Sequence, residues 1–163
     1  MKIIIDLQKA VAPEQEAVIA ETDKNIPAIA EIERWIGTAL KHTDFVQESV
    51  EITIRVVGEA ESQQLNDQYR QKNQPTNILS FPFEAPPQLS FDLLGDLVVC
   101  LPVLEQEASE QNKSLTSHWA HLLVHGTLHL LGYDHPDPEQ AEEMESLEIA
   151  ILQSLDFDNP YIA

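Results

Sequence analysis

Five of the six histidines in this 163-residue chain fall between positions 118 and 135: His118, His121, His125, His129 and His135. Imidazole is the commonest protein ligand for zinc and its neighbours, and it also carries protons near neutral pH. His121, His125 and His129 are spaced i, i+4, i+8, so on a helix they share one face. With a rise of 1.5 Å per residue, the outer two lie about 12 Å apart along the axis. Zinc–nitrogen bonds are about 2.0–2.1 Å, so one ion can take neighbours in that row and not all three. A third ligand must come from beyond the helix. Gly132 supplies the means, because a glycine just past a helix end can take the left-handed conformation and turn the chain back. His135 follows three residues later, free to approach the pair from another direction.

The run HGTLHLLGYDH (125–135) places its histidines and second glycine at offsets 0, 4, 10 and 7. That is the spacing of the metzincin zinc peptidases, H-E-x-x-H-x-x-G-x-x-H. Three neutral imidazoles leave a coordination position open, which is the catalytic rather than the structural zinc pattern. One difference changes the chemistry. Where those peptidases carry a glutamate general base, this chain has Gly126, so peptide hydrolysis loses the carboxylate that takes a proton from water. Asp134 is the nearest remaining carboxylate, with two roles open to it: orienting an imidazole from behind, or acting as a base. Imidazole suits several divalent ions, of which zinc is the expected one.

The stretch SHWAHLLVHGTLHLLGYDH, with LNDQYRQKNQPTNILSFPF and LLGDLVVC upstream, resembles the YbeY family of bacterial single-strand-specific endoribonucleases. The resemblance covers roughly residues 48–155. It implies a zinc-like ion at His125, His129 and His135, a functional arginine at Arg70, and a role in ribosomal RNA maturation and ribosome quality control. Single-stranded RNA and the ribosome or its proteins are the implied partners. The family's RxKDxPTDVLSF signature is altered here, with Asn73 and Asn77 in place of two aspartates.

Arg70 has a physical reason to act on RNA. Phosphodiester hydrolysis gathers negative charge on nonbridging oxygens, which a guanidinium fork holds through two hydrogen bonds. The alternative is a surface arginine favoured by the dipole at a helix C-terminus. Lys72 and Ser80, in the same motif, are the candidate substrate contacts, with Lys72 equally readable as a solvated charge. His118 and His121 read as buried polar residues or supports rather than ligands. Cys100 reads as an inert small apolar residue in a strand, and Trp35 and Trp119 as core.

The elements that must position these groups follow from periodicity. Residues 2–7 (KIIIDL) form a candidate edge strand; 8–26 remain unassigned. Ile29, Ile32, Ile36 and Leu40 give the apolar stripe of a helix beginning near Pro27. In 50–57, Val50, Ile52, Ile54 and Val56 alternate with Glu51, Thr53 and Arg55, a half-buried strand. A short helix is expected at 59–70 with Leu65 and Tyr69 on one face, then a turn and a strand at ILSF that Pro82 limits to an edge or an end. EAPPQLSFD reads as a loop and GDLVVCL as a buried strand. Two helices close the chain. The one at 115–131 is apolar apart from its histidines and belongs in the core. The other opens with Asp137 as N-cap and Pro138 in its first turn. Its inner stripe is Ala141, Met144, Leu147 and Ile151, and its glutamates face out. Hairpin-like strands beside separate helices point to an α+β fold, a small mixed sheet packed with helices.

Length and composition bound the rest. The chain suits one hydrolase domain, residues 1–163, and its 43% apolar content builds one core. The single cysteine excludes an intrachain disulfide. The apolar run of MKIIIDLQKA is too short for a signal-peptide core, and no window approaches a membrane span. A soluble cytoplasmic protein is the expectation. Nine Lys and Arg against 28 Asp and Glu give a net charge of −19, which repels nucleic acid at long range. That excludes a general DNA binder and leaves RNA to a local site whose sign differs from the whole. Only a few cations, Arg55, Arg70 and Lys72, stand ready for phosphate. Two further readings compete with the ribonuclease: a zinc peptidase-like hydrolase, which Gly126 weakens, and a ribosome-associated binding protein with a structural metal.

Overall fold

The computed structural model describes residues 1–11, 24–84 and 92–161. Among these, nine elements run in chain order: β1 (Lys2–Ala10), α1 (Ile29–Lys41), β2 (Ser49–Val57), α2 (Glu59–Arg70), β3 (Ile78–Pro82), β4 (Leu93–Cys100), α3 (Leu101–Glu110), α4 (Leu115–Leu130) and α5 (Pro138–Ser154). The strands form one sheet in the order β1-β2-β4-β3. It is a mixed sheet on which helices pack, an α+β fold.

Hairpin-like pairing holds for one pair only. β3 and β4 are antiparallel, while β1–β2 and β2–β4 are parallel. Parallel neighbours need a crossover, and α1 lies in the connection from β1 to β2. β1 runs to Ala10, three residues beyond the expected end, and takes one edge of the sheet. β3 takes the other and ends on Pro82, where a missing N–H costs no ladder bond. The expected loop at 84–92 lies mostly outside the described residues.

The alternation in β2 is realised in full: Val50, Ile52, Ile54 and Val56 are all fully buried. They join Ile32, Trp35, Ile36 and Leu40 of α1, Leu97 and Val99 of β4, and Trp119, Leu123 and Leu128 of α4 in one core. The stripe of α1 begins at Ile32, since Ile29 is exposed. On the opposite face, Val57, Leu79, Val98 and Cys100 form a smaller cluster against Leu65, Phe81 and Val103. α2 covers that face differently from its apolar pattern. Tyr69 is exposed, with its ring edge-on to Phe81, and the buried positions are Ser62 and Asn66. The next loop takes up their donors, Ser62 Oγ donating to Thr76 O and Asn66 Nδ2 to Gln74 O.

The helix α3 is an addition to the two expected at the C-terminal end. Its signal is Pro102 in the first turn, where a missing N–H belongs to one of the helix's unpaired donors. It follows β4 with no intervening loop, so the apolar run 97–104 is half strand and half helix.

Candidate metal centre

The helix α4 is capped by Ser114, whose side chain accepts from Ser117 N, and carries His118, His121, His125 and His129. It ends as the sequence requires. Gly132 takes φ +99°, its N–H donates to His129 O, and Tyr133 N donates to Leu128 O. This pair of bonds is a Schellman closure, open to glycine because it carries no Cβ. The reversal brings His135 back over the last turn of the helix. One ligating atom each of His125, His129 and His135 then lies within 4.8 Å of the others. His125 Nε2 and His129 Nε2 are 3.0 Å apart. Two nitrogens bound at about 2.0–2.1 Å to one tetrahedral ion stand about 3.3 Å apart, so His125 and His129 already have chelating spacing, and His135, within 4.8 Å, completes the donor set by closing toward them. Burial, and the neighbouring His125 and His135, push the His129 imidazole below its usual pKa, favouring the neutral form that ligates. His125 and His129 are half-buried and His135 is exposed, so the site opens to solvent on the His135 side.

Behind His125 stands a residue that periodicity placed on the outside. Glu148 of α5 is fully buried, and His125 Nδ1 donates to its Oε1. Tyr161 donates its hydroxyl to the other oxygen, Oε2. Burial alone would raise the Glu148 pKa, but the neighbouring His121 and the hydrogen bonds from His125 and Tyr161 outweigh it and hold the carboxyl at about 2. An ionised carboxylate accepts and cannot donate. His125 therefore carries its proton on Nδ1 and turns the Nε2 lone pair toward His129 and His135. This is the carboxylate–histidine support typical of metal sites. The residue lies i+4 from Met144 and i−3 from Ile151, both buried. A lone glutamate on an apolar stripe was the available signal.

His121 and His118 stand outside the converging set. His121 Nε2 lies 3.3 Å from the Tyr161 hydroxyl and 3.8 Å from Glu148 Oε2. His118 is buried, with Nε2 2.9 Å from Glu107 Oε1. Glu107 also accepts from Asn77 Nδ2 at 3.1 and 3.3 Å, so one of the two asparagines that replace family aspartates is a donor to a carboxylate.

Asp134 is exposed and its Oδ1 accepts from His135 N at 2.8 Å; the side chain holds the loop that carries the third imidazole. Ser80 on β3 donates to Gly126 O at 3.4 Å, one residue from His125. Arg70 and Lys72 are exposed at and just beyond the C-terminal end of α2. Arg55, expected among the phosphate-ready cations, is engaged: its Nε and Nη2 bind both oxygens of Glu61 at 2.6 and 3.0 Å, and Nη1 reaches Gln8.

Position 126 explains its own glycine. A Cβ there would lie 2.8 Å from Ile78 Cδ1 and from Leu97 Cδ2, and 3.3 Å from Ser80 Oγ. The helix rests directly on β3 and β4 at this point. The space a peptidase glutamate would need is filled by the sheet.

The chain matches the family described as Endoribonuclease YbeY over residues 17–156. It belongs to the YbeY endoribonuclease family. A similar solved structure is that of TM1509 from Thermotoga maritima, 21% identical, with 92% of this chain and 91% of that chain covered at a TM-score of 0.47. The YbeY match spans every element from α1 through α5, and so includes all three histidines, Arg70, Lys72, Ser80 and Glu148.

Proposed function

We propose that this chain hydrolyses single-stranded RNA, with ribosomal RNA in the course of its maturation as the substrate and one zinc ion held by His125, His129 and His135. The observation that carries the reading is the convergence of three imidazole nitrogens within 4.8 Å in a chain of an endoribonuclease family. When bound, such an ion supplies a Lewis acid that lowers the pKa of water and polarises a phosphoryl oxygen. The protein does the rest. Glu148 fixes the tautomer and orientation of His125, and Asp134 fixes the His135 backbone. Arg70 holds the nonbridging oxygens of the scissile phosphate as their charge grows. Lys72 adds a point charge beside it, and Ser80 lines the approach along β3.

The test uses metal-loaded protein on labelled single-stranded RNA and, separately, on casein. Cleavage of the RNA with casein intact supports the reading. Casein cleavage would return the peptidase, and inertness toward both would leave a binding protein with a structural ion.

A further inference from the structure

We infer that Tyr161, near the C-terminus, is a positioning residue for the metal site, acting on His125 through Glu148. The inference rests on the metal-binding reading above. After α5 ends at Ser154, Asp156 adopts a left-handed φ of +67°, and Phe157 N returns to Leu152 O. The chain doubles back. Phe157 anchors the reversal edge-on to Trp35, with centroids 6.1 Å apart, and Pro160 O accepts from Lys113 Nζ at 3.1 Å. These contacts deliver the Tyr161 hydroxyl to Glu148 Oε2, on the helix its own segment has just left.

Donor accounting gives that hydroxyl its weight. Glu148 is fully buried and must have its oxygens satisfied to remain a carboxylate. Oε1 takes the His125 Nδ1 proton, and Oε2 takes the Tyr161 proton. Among the described residues, the one other donor near Oε2 is His121 Nε2 at 3.8 Å, beyond hydrogen-bond range. Because the single Tyr161 proton goes to Glu148, the 3.3 Å contact between His121 and Tyr161 must be donated by His121 Nε2. Its Nδ1 is then a bare acceptor, in keeping with its lack of a partner among the described residues. Without the hydroxyl, Glu148 must swing toward His121, and His125 loses the bond that sets its ring.

The experiment compares zinc affinity, by competition with a chromophoric chelator, for the full-length wild type, Tyr161→Phe, Glu148→Gln and the double variant. Melting of the metal-free proteins is followed in parallel. Phenylalanine keeps the ring against His121 and removes only the hydroxyl. The expected result is a loss of about 10-fold for Tyr161→Phe, the low end for a partner behind a ligand, with an unchanged metal-free melting temperature. The double variant should be no weaker than Glu148→Gln alone. Affinity within twofold of wild type for Tyr161→Phe would overturn the inference, as would losses that add. Should Glu148→Gln fail to fold, the Tyr161→Phe comparison alone decides. A wild type that binds no zinc sinks the metal reading itself, and so is distinguishable from a failure of Tyr161.

Discussion

At the level of single residues, the metal centre divides its histidines by reach. His125, His129 and His135 have converging nitrogens, whereas His121 turns toward Tyr161 with ring centroids 5.4 Å apart. His125→Ala, His129→Ala and His135→Ala should each lose most of the bound metal in elemental analysis, and His121→Ala should keep it. Stoichiometric metal in His135→Ala would return the site to the helix alone. The three histidines were legible because their spacing and Gly132 encode a geometric requirement that few other arrangements meet. Glu148 was not. Alternation arguments assign glutamates to the wet face by type, and a buried carboxylate is retained only where specific donors meet it. Those donors, His125 and Tyr161, lie 23 and 13 positions away.

At the level of elements, close approach decides which residues are tolerated. Gly95 on β4 has φ +155°, and a Cβ there would sit 2.5 Å from the backbone oxygen of Phe81 and 2.8 Å from Leu130 Cδ2. Gly95→Ala should cost about 2–4 kcal/mol in denaturant unfolding, from strain and overpacking together. The entry to β3 carries a second prediction. Glu107 would be raised by burial, but hydrogen bonds from His118 and Asn77 bring its pKa below the usual value. A lowered folded pKa contributes stability above the unfolded value, which is lost as pH falls through the folded one. Asn77→Asp turns a donor into a second carboxylate against Glu107. It should destabilise on the order of 1–2 kcal/mol at pH 7, with the deficit in melting temperature shrinking toward pH 5 as one carboxyl takes a proton. The strands and long helices were readable from period 2 and period 3.6. The parallel pairing was not, because pairing is fixed by a crossover and by packing that no local pattern records. Nor was α3, whose first turn reads as the continuation of an apolar strand.

On the scale of the whole molecule, a net charge of −19 sets how RNA arrives. Repulsion is screened over about 8 Å at physiological salt, and with Arg55 committed to Glu61, Arg70 and Lys72 are the cations the proposed site offers. Each neutralised phosphate of a single strand contributes about 0.7 to the salt slope, so naked RNA should bind weakly with a slope of order 2 or less. On the proposed reading, presentation by a ribosomal particle would supply what charge withholds. Cleavage of the same RNA, naked and within ribosomal particles across a salt series, should be faster in the particle. Equal rates, or nanomolar binding with a steep slope, would require a basic cleft instead. No helix among the described residues is long and apolar enough to cross a membrane. The proposed cleavage of RNA by way of an ion at the three histidines is checked with a labelled single-stranded RNA and the wild type and His129→Ala proteins, purified side by side. Wild-type cleavage should stop with chelator and return with added zinc, and His129→Ala should be inert throughout. Cleavage that survives either the chelator or the His129→Ala substitution would contradict it.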